Sequence, residues 1–217
     1  ALLIDYVLTA AVSLMTGGQA ISSLVPLLLP HEVALSLLLL ALLGWANLRG
    51  LREAGRLFAV PTYAFVVMLA LLTLLGLHNL VFHHGFRPDP PPSVTALEPL
   101  GLFLILRAFS SGSSGMTGIE VIANGVQVFR EPAPAHARQI LLMGVLLSLM
   151  FFSVNGMGFL YCIAPDPHIT VLAQIGTRVF GPESALLWAL QFSTLLILVL
   201  AANTAFSGFP LLAAMLA

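Results

Sequence analysis

A carboxylate within a long apolar stretch is the residue in this sequence best suited to proton chemistry. Glu120 stands between isoleucine and valine, shortly after a run of serines and glycines at Ser110 to Gly115. A charged side chain in lipid costs about 2.5 kcal/mol or more, so Glu120 should face a cavity within a helix bundle. Because burial disfavours the charged form of a carboxyl group, Glu120 is suited to take up and release a proton.

The serine and glycine run itself predicts a break in a membrane helix at residues 110–115. Glycine and serine both weaken a helix, and a break in the membrane is tolerated only where it is buried in protein or lines a watery cavity. Backbone carbonyls freed at Ser114 and Gly115 could then coordinate a cation. The alternative is a kinked structural helix, in which Glu120 pairs with Arg107 or Asn124. Arg107 precedes the break, and we interpret it as an extracellular gate or one partner of a structural ion pair.

Two further polar stripes lie on other apolar segments. Thr9 and Ser13 are one helical turn apart and share a helix face with Thr16. Such a stripe can line a cation path, but the residues by themselves favour close helix packing. Asn203 and Thr204 form a similar stripe near the end of the chain, and we interpret them as gate or structural residues.

The two striped segments also resemble each other. Residues 9–17 and 200–208 share an Ala-Ala pair, then a hydroxyl residue, then a hydroxyl residue followed by glycine, at equal spacing. A short match of this kind can arise by chance. It is also the trace that inverted repeats leave in corresponding helices of the two halves of a transporter.

Composition places all of these residues in a membrane protein. Of 217 residues, 59% are apolar and only 8% are charged, whereas a soluble domain carries about 25% charged residues. The net charge of −1 argues against a nucleic-acid partner. No Gly-Lys-Ser/Thr phosphate-binding run is present, so neither ATP-driven transport nor any cofactor is predicted. The sequence begins without methionine and ends within an apolar run, so we expect an internal segment of a longer protein.

We predict an all-α integral membrane fold with six spans in one membrane domain, 1–217. Each span needs about 20 mostly apolar residues. A shorter stretch, 169–180, is amphipathic and is expected to lie at the interface. The predicted spans are 2–29, 32–48, 57–82, 100–129 with its break at 110–115, 138–164 and 184–208.

Arginine sets the predicted orientation, because the chain contains no lysine. Three arginines lie in the loop 49–56 and two in the segment 130–138, and six consecutive spans put both on the same side. The opposite loops hold Arg87 and Arg178. The positive-inside rule therefore predicts that both arginine-rich loops and the Asp5 end are cytoplasmic.

Five short motifs are distributed over the chain. They are Asp-Tyr-Val-Leu-Thr at 5–9, Ala-Asn-Leu-Arg-Gly at 46–50, Thr-Gly-Ile-Glu at 117–120, Phe-Arg-Glu-Pro at 129–132 and Ala-Asn-Thr-Ala-Phe at 202–206. Together they resemble the amino acid–polyamine–organocation (APC) superfamily of permeases, and most of all its KimA-like branch of bacterial potassium importers, which is related to the KUP potassium transporters. The resemblance covers essentially the whole chain.

This resemblance implies the LeuT-like fold of two inverted repeats, with the six spans as helices three to eight and the broken one as helix six. It implies that Thr117 coordinates a bound potassium ion and that Thr9 and Ser13 line the same site. Glu120 would be the proton-coupling acid. The sequence departs from the family pattern at residues 207–210, where relatives often have Ala-Asp before Phe-Pro, and this puts a cytoplasmic gate contact in doubt.

Three functions remain in competition. The first is proton-coupled potassium uptake by alternating access across a bacterial-type plasma membrane. The second is proton-coupled amino-acid transport on the same scaffold, and the third is a passive cation channel. An enzyme is not predicted, because no set of catalytic residues has a plausible spacing. The expected partners are a small ion or small molecule and the lipid bilayer, and a homodimer is compatible with the sequence.

Overall fold

The computed structural model describes residues 2–49, 55–82, 100–113, 133–164, 166 and 168–216. Within these ranges the chain is helical and contains no strand, which confirms the predicted all-α class. One 3-10 helix, Pro26–His31, precedes α2. The α-helices are α1 Leu2–Ser22, α2 Glu32–Leu48, α3 Gly55–Phe82, α4 Leu102–Ser113, α5 Ala133–Leu160, α6 Val171–Phe180 and α7 Ala185–Leu216.

Four of the described helical segments are long and apolar enough to cross a membrane. They are Pro26–Leu48, Ala59–Phe82, Pro134–Leu160 and Ala185–Pro210. Their outward surfaces carry many exposed leucine, valine and phenylalanine side chains. A surface of this kind is stable only against hydrocarbon, so these segments indicate a chain that crosses the membrane several times.

Helix α1 ends at Ser22, well before residue 29, where the first predicted span ends. The Ser23 hydroxyl donates to the Gln19 carbonyl at 2.6 Å, which competes with continued helical pairing. Val25 is extended (φ −121°, ψ 89°) because it precedes Pro26, and a residue before proline avoids the helical region. The chain therefore leaves α1 and enters the 3-10 helix before α2 begins.

Helix α4 runs through the first positions of the predicted break. It is helical from Leu102 to Ser113 and so includes Ser110 and Gly112. The rest of the predicted break, at Ser114 and Gly115, lies outside the described residues, as does the whole segment 114–132. The break therefore stays a prediction.

The chain divides into two compact units, Ala1–Asp89 with Ser153–Ala217, and Pro90–Phe152. In the described part of the second unit, α4 and the first part of α5 expose most of their side chains. The first unit holds a core of fully buried side chains from α3, α5, α6 and α7. They are Leu69, Leu72, Met157, Tyr161, Ile175 and Leu190.

One hydrogen bond fixes α3 against the end of α5 within the first unit. The Tyr161 hydroxyl donates to the Gly76 carbonyl at 2.6 Å, and both residues are buried. Glycine at position 76 lets this approach occur, because a Cβ there would collide with the Met157 thioether. The polar tip of a buried tyrosine is thereby satisfied.

Candidate functional site

The described half of the predicted cation site lies on α1. Ser13 is buried, with 8% of its side chain exposed, and Thr9 is partly buried one turn earlier. Leu14 follows Ser13 and packs with Leu43 of α2 and Ala202 of α7 in a small apolar cluster. Apolar packing at Leu14 thus fixes the rotation of α1, and the spacing of Thr9 and Ser13 puts both hydroxyls on one face.

Glycines allow α1 and α7 to pack closely along their length. A Cβ at Gly17 would lie 3.2 Å from Leu195 Cδ1 and 3.6 Å from Leu198 Cβ. Near the other end of α1, a Cβ at Gly208 would lie 3.3 Å from the ring of Tyr6. Since late residues of α7 meet early residues of α1, the two helices are antiparallel, and Thr9 and Ser13 lie between the two glycine contacts.

The predicted residues of α7 are engaged elsewhere. The Asn47 amide of α2 donates to Asn203 Oδ1 at 2.7 Å and to the Leu43 carbonyl at 2.9 Å. Asn203 is thus tied to α2 by an interhelical amide bond. Thr204 is exposed, and its hydroxyl donates to the Leu200 carbonyl of its own helix at 3.1 Å.

The other predicted site residues, at positions 107–120, belong to the second unit, and most of them fall outside the described residues. Arg107 lies exposed on α4 in the second unit. Thr117, Glu120, Ser114 and Gly115 fall outside the described residues. The structure therefore brings together Thr9 and Ser13, and the potassium site assigned to these two residues with Thr117 stays a prediction.

An apolar groove of about 480 Å³ lies on the surface formed by α1, α2 and α7. Its lining is almost wholly carbon, with side chains that include Tyr6, Leu14, Leu37, Leu40 and Phe206. A cation that has lost its hydration shell needs several oxygen ligands, which this groove does not offer. The groove is therefore not the candidate ion site.

Comparison with known proteins places the chain in a family. A family model described as amino acid permease matches residues 1–217, the full length of the sequence. The chain belongs to the amino acid permease family. It is also 41% identical over 214 residues to the potassium transporter KimA of Bacillus subtilis (strain 168). That match covers 98% of this chain and 35% of KimA, so the permease chain spans about a third of that relative's length.

These findings confirm the resemblance inferred from the motifs, both to the superfamily and to the potassium-transporter branch. The family and the relative are transport proteins rather than enzymes. Together with the apolar helices, they identify the permease chain as part of a multi-pass membrane protein.

Polar contacts at the two ends of α2 were missed by sequence reasoning. The Ser22 hydroxyl donates to Glu32 Oε1 at 2.9 Å, which joins the end of α1 to the beginning of α2. At the other end, the Arg49 guanidinium lies 4.2 Å from the centre of the Trp45 ring. An acidic residue at a helix N-terminus and a basic residue at its C-terminus both complement the helix dipole. The positions of Glu32 and Arg49 in the sequence could therefore have predicted both ends of α2.

The end of α1 is also tied to α6. The Thr170 N–H donates to Ser23 Oγ at 3.2 Å, while Thr170 Oγ1 accepts from the Ala173 N–H at 3.2 Å and caps α6. One threonine thereby begins the short helix and fixes its position against α1. No local sequence pattern indicates this contact, because the two partners are 147 residues apart.

Proposed function

We propose that this chain is the central part of a proton-coupled potassium importer. The observation that carries the proposal is the 41% identity to a potassium transporter over 98% of the chain. The chain contributes helices three to eight of a LeuT-like transporter in this proposal. Transport itself belongs to the longer protein, since the chain spans about a third of the relative.

The chemistry of the site supports an alkali cation as substrate. A dehydrated potassium ion needs several neutral or weakly charged oxygen ligands. Thr9 and Ser13 offer two hydroxyls on one face of α1, and Ser13 is already removed from solvent. In the proposal, the Thr117 hydroxyl and backbone carbonyls near Ser114 and Gly115 complete the coordination.

Coupling is assigned to Glu120. Burial favours the neutral form of a membrane carboxyl group, so Glu120 would take up a proton on the outside before the site closes and would release it when the site opens to the cytoplasm. Potassium bound beside Glu120 would cross in the same step, so the proton and the cation would move inwards together. Arg107 is proposed as an extracellular gate or structural ion-pair partner, and Asn203 and Thr204 as supports of the scaffold.

The proposed membrane is a bacterial-type plasma membrane, with the loops 49–56 and 130–138 and the Asp5 end in the cytoplasm. The arginine distribution supports this orientation. Trp45 supports an interfacial position for the end of α2 on either side of the membrane, because it is 53% exposed and stacks under Arg49. Aromatic and basic residues are enriched together at the interface of the membrane with water.

Potassium uptake in a strain that lacks its own potassium importers tests the proposal. The full-length gene is expressed as wild type, as Glu120→Gln and as Glu183→Gln, a matched control in which an exposed glutamate between α6 and α7 loses the same charge. We expect wild type and Glu183→Gln to restore growth at low potassium and Glu120→Gln to abolish it. Well-expressed wild type that gives no rescue would reject the potassium assignment.

Amino-acid transport is the second candidate, because the matching family model describes amino acid permeases across residues 1–217. Uptake of labelled amino acids into the same cells separates the two. Amino-acid accumulation without potassium rescue would favour this function, and potassium flux without proton-driven accumulation would favour a channel.

A further inference from the structure

Gln191 lies on the face of α7 that packs against α1. Leu195, Leu198 and Ala202 follow it at i+4, i+7 and i+11, which places all four residues on one helix face. Leu195 and Leu198 approach Gly17 of α1, and Ala202 packs with Leu14. The Gln191 side chain therefore enters the interface between α1 and α7.

The amide of Gln191 is buried without a partner. Its side chain is 0% exposed, and in the described part of the chain neither Nε2 nor Oε1 has a hydrogen-bond partner. The neighbouring hydroxyls of Ser193 and Thr194 both donate to the Leu190 carbonyl, at 2.9 and 2.7 Å, and are satisfied within α7. Gln174 of α6 also has a partner, since its Nε2 donates to the Ile169 carbonyl at 2.9 Å.

The position of this amide suggests where water can reach it. A helical side chain points towards the N-terminus of its helix, so the Gln191 amide lies over the turn that contains Leu187. By the antiparallel register in which Gly17 meets Leu198 and Tyr6 meets Gly208, the backbone of Gln191 is level with the end of α1 at Ser22, and its amide reaches just beyond that end. That end is polar and is closed by the Ser22 to Glu32 and Thr170 to Ser23 hydrogen bonds.

We propose that the unpaired amide of Gln191 shifts the equilibrium of the α1–α7 interface towards an open state at its Ser22 end. A buried amide with no partner disfavours the closed interface by about 5- to 150-fold relative to one in which both groups are satisfied. Opening lets water bind both amide groups and removes this penalty. The bias is a property of the two helices and holds whichever substrate the protein carries.

Hydrogen exchange of the full-length protein in lipid nanodiscs tests the proposal. Gln191→Met keeps an unbranched side chain of similar length but removes the amide. We expect backbone exchange near residues 185–195 and 17–24 to slow by about 5- to 150-fold, because the closed interface no longer buries unpaired polar groups. The melting temperature should rise together with this protection.

Gln174→Met is the matched control. It removes an amide that has a partner, so exchange in α6 should stay unchanged or become faster. Exchange that is unchanged or faster in Gln191→Met would overturn the proposal, and so would failure of that variant to fold, since either result means that the amide stabilises the closed interface. Hydrogen exchange does not measure potassium uptake, so this experiment can reject the role of Gln191 without affecting the proposed transport function, and the uptake assay can do the reverse.

Discussion

Two asparagine side chains provide a direct polar link between α2 and α7. Asn47 Nδ2 donates to Asn203 Oδ1 at 2.7 Å, next to the apolar cluster that includes Leu43 and Ala202. Amide hydrogen bonds between membrane helices contribute about 0.6 kcal/mol on average and up to about 1.7 kcal/mol. The bond therefore adds modest stability, and it also fixes the rotation of α7 relative to α2.

A double-mutant cycle with Asn47→Leu and Asn203→Leu measures this contribution. We expect each single variant of the full-length protein to be destabilised, because the partly buried asparagine that remains loses this hydrogen bond. The double variant should be more stable than the sum of the two losses predicts, by about 0.6 to 1.7 kcal/mol. Unfolding in detergent gives the four free energies, and losses that add to within about 0.5 kcal/mol would show that the asparagines act independently.

The sequence singles out candidate site residues only where a residue type is itself unusual. Thr9 and Ser13 stand out as hydroxyls at helical spacing, and Glu120 as an acid in an apolar run. The Asn47 partner of Asn203 could not be predicted, because the two residues are 156 positions apart and meet only through tertiary packing. Gln191 gave a weaker signal, as a lone amide between Leu190 and Phe192, whose meaning depends on the helix that covers it.

At the scale of elements, α6 and α7 meet at a glycine. A Cβ on Gly176 would lie 2.9 Å from both Leu187 Cδ1 and Leu190 Cδ2, and both leucines are buried. Neither side chain can move aside without disturbing the core. The short helix α6 can therefore pack this closely against α7 only because Gly176 has no side chain.

Gly176→Ala should destabilise the protein although alanine is the better helix former. Overpacking costs about 1 to 3 kcal/mol, which outweighs the gain of about 1 kcal/mol from alanine in a helix. Gly156→Ala in α5 is the matched control, since within the described structure no heavy atom lies within 4 Å of its Cβ position. We expect Gly156→Ala to raise the melting temperature and Gly176→Ala to lower it, and a rise in both would contradict close packing at Gly176.

Hydropathy predicts where helices lie better than where they end. The segment 32–48 has the same bounds as α2, because Pro30 and Glu32 begin it and the arginine-rich loop follows it. Helix α7 continues past residue 208, where the predicted span ends, because Gly208 packs against the Tyr6 ring and Pro210 is accommodated within the helix. Contacts with other helices therefore decide these ends, and such contacts are absent from a local pattern.

At the scale of the whole molecule, the contacts between α1 and α7 repeat the likeness of their sequences. Aligning residues 9–17 with 200–208 places Gly17 opposite Gly208. Gly17 approaches Leu195 and Leu198, whose equivalents in α1 are Ile4 and Val7, and these two positions flank the Tyr6 that Gly208 approaches. The glycine of each helix thus packs against nearly equivalent positions of the other helix. This near two-fold relation is what inverted repeats predict for equivalent helices.

Inverted repeats require that equivalent helices cross the membrane in opposite directions, and the arginine distribution assigns those directions. Fusions of the full-length gene, truncated within each loop, test this assignment with a fluorescent protein that matures in the cytoplasm and an alkaline phosphatase that needs disulfides formed outside it. Fusions within 49–56 and 130–138 should be fluorescent and lack phosphatase activity, while fusions within 83–99 and 163–170 should show the reverse.

Replacing Arg49, Arg52 and Arg56 by glutamine should weaken the contrast between fluorescence and phosphatase activity at the loop 49–56, because the positive charge that retains this loop in the cytoplasm is lost. Phosphatase activity in both arginine-rich loops would place the Asp5 end outside and would reverse the path assigned to protons at Glu120.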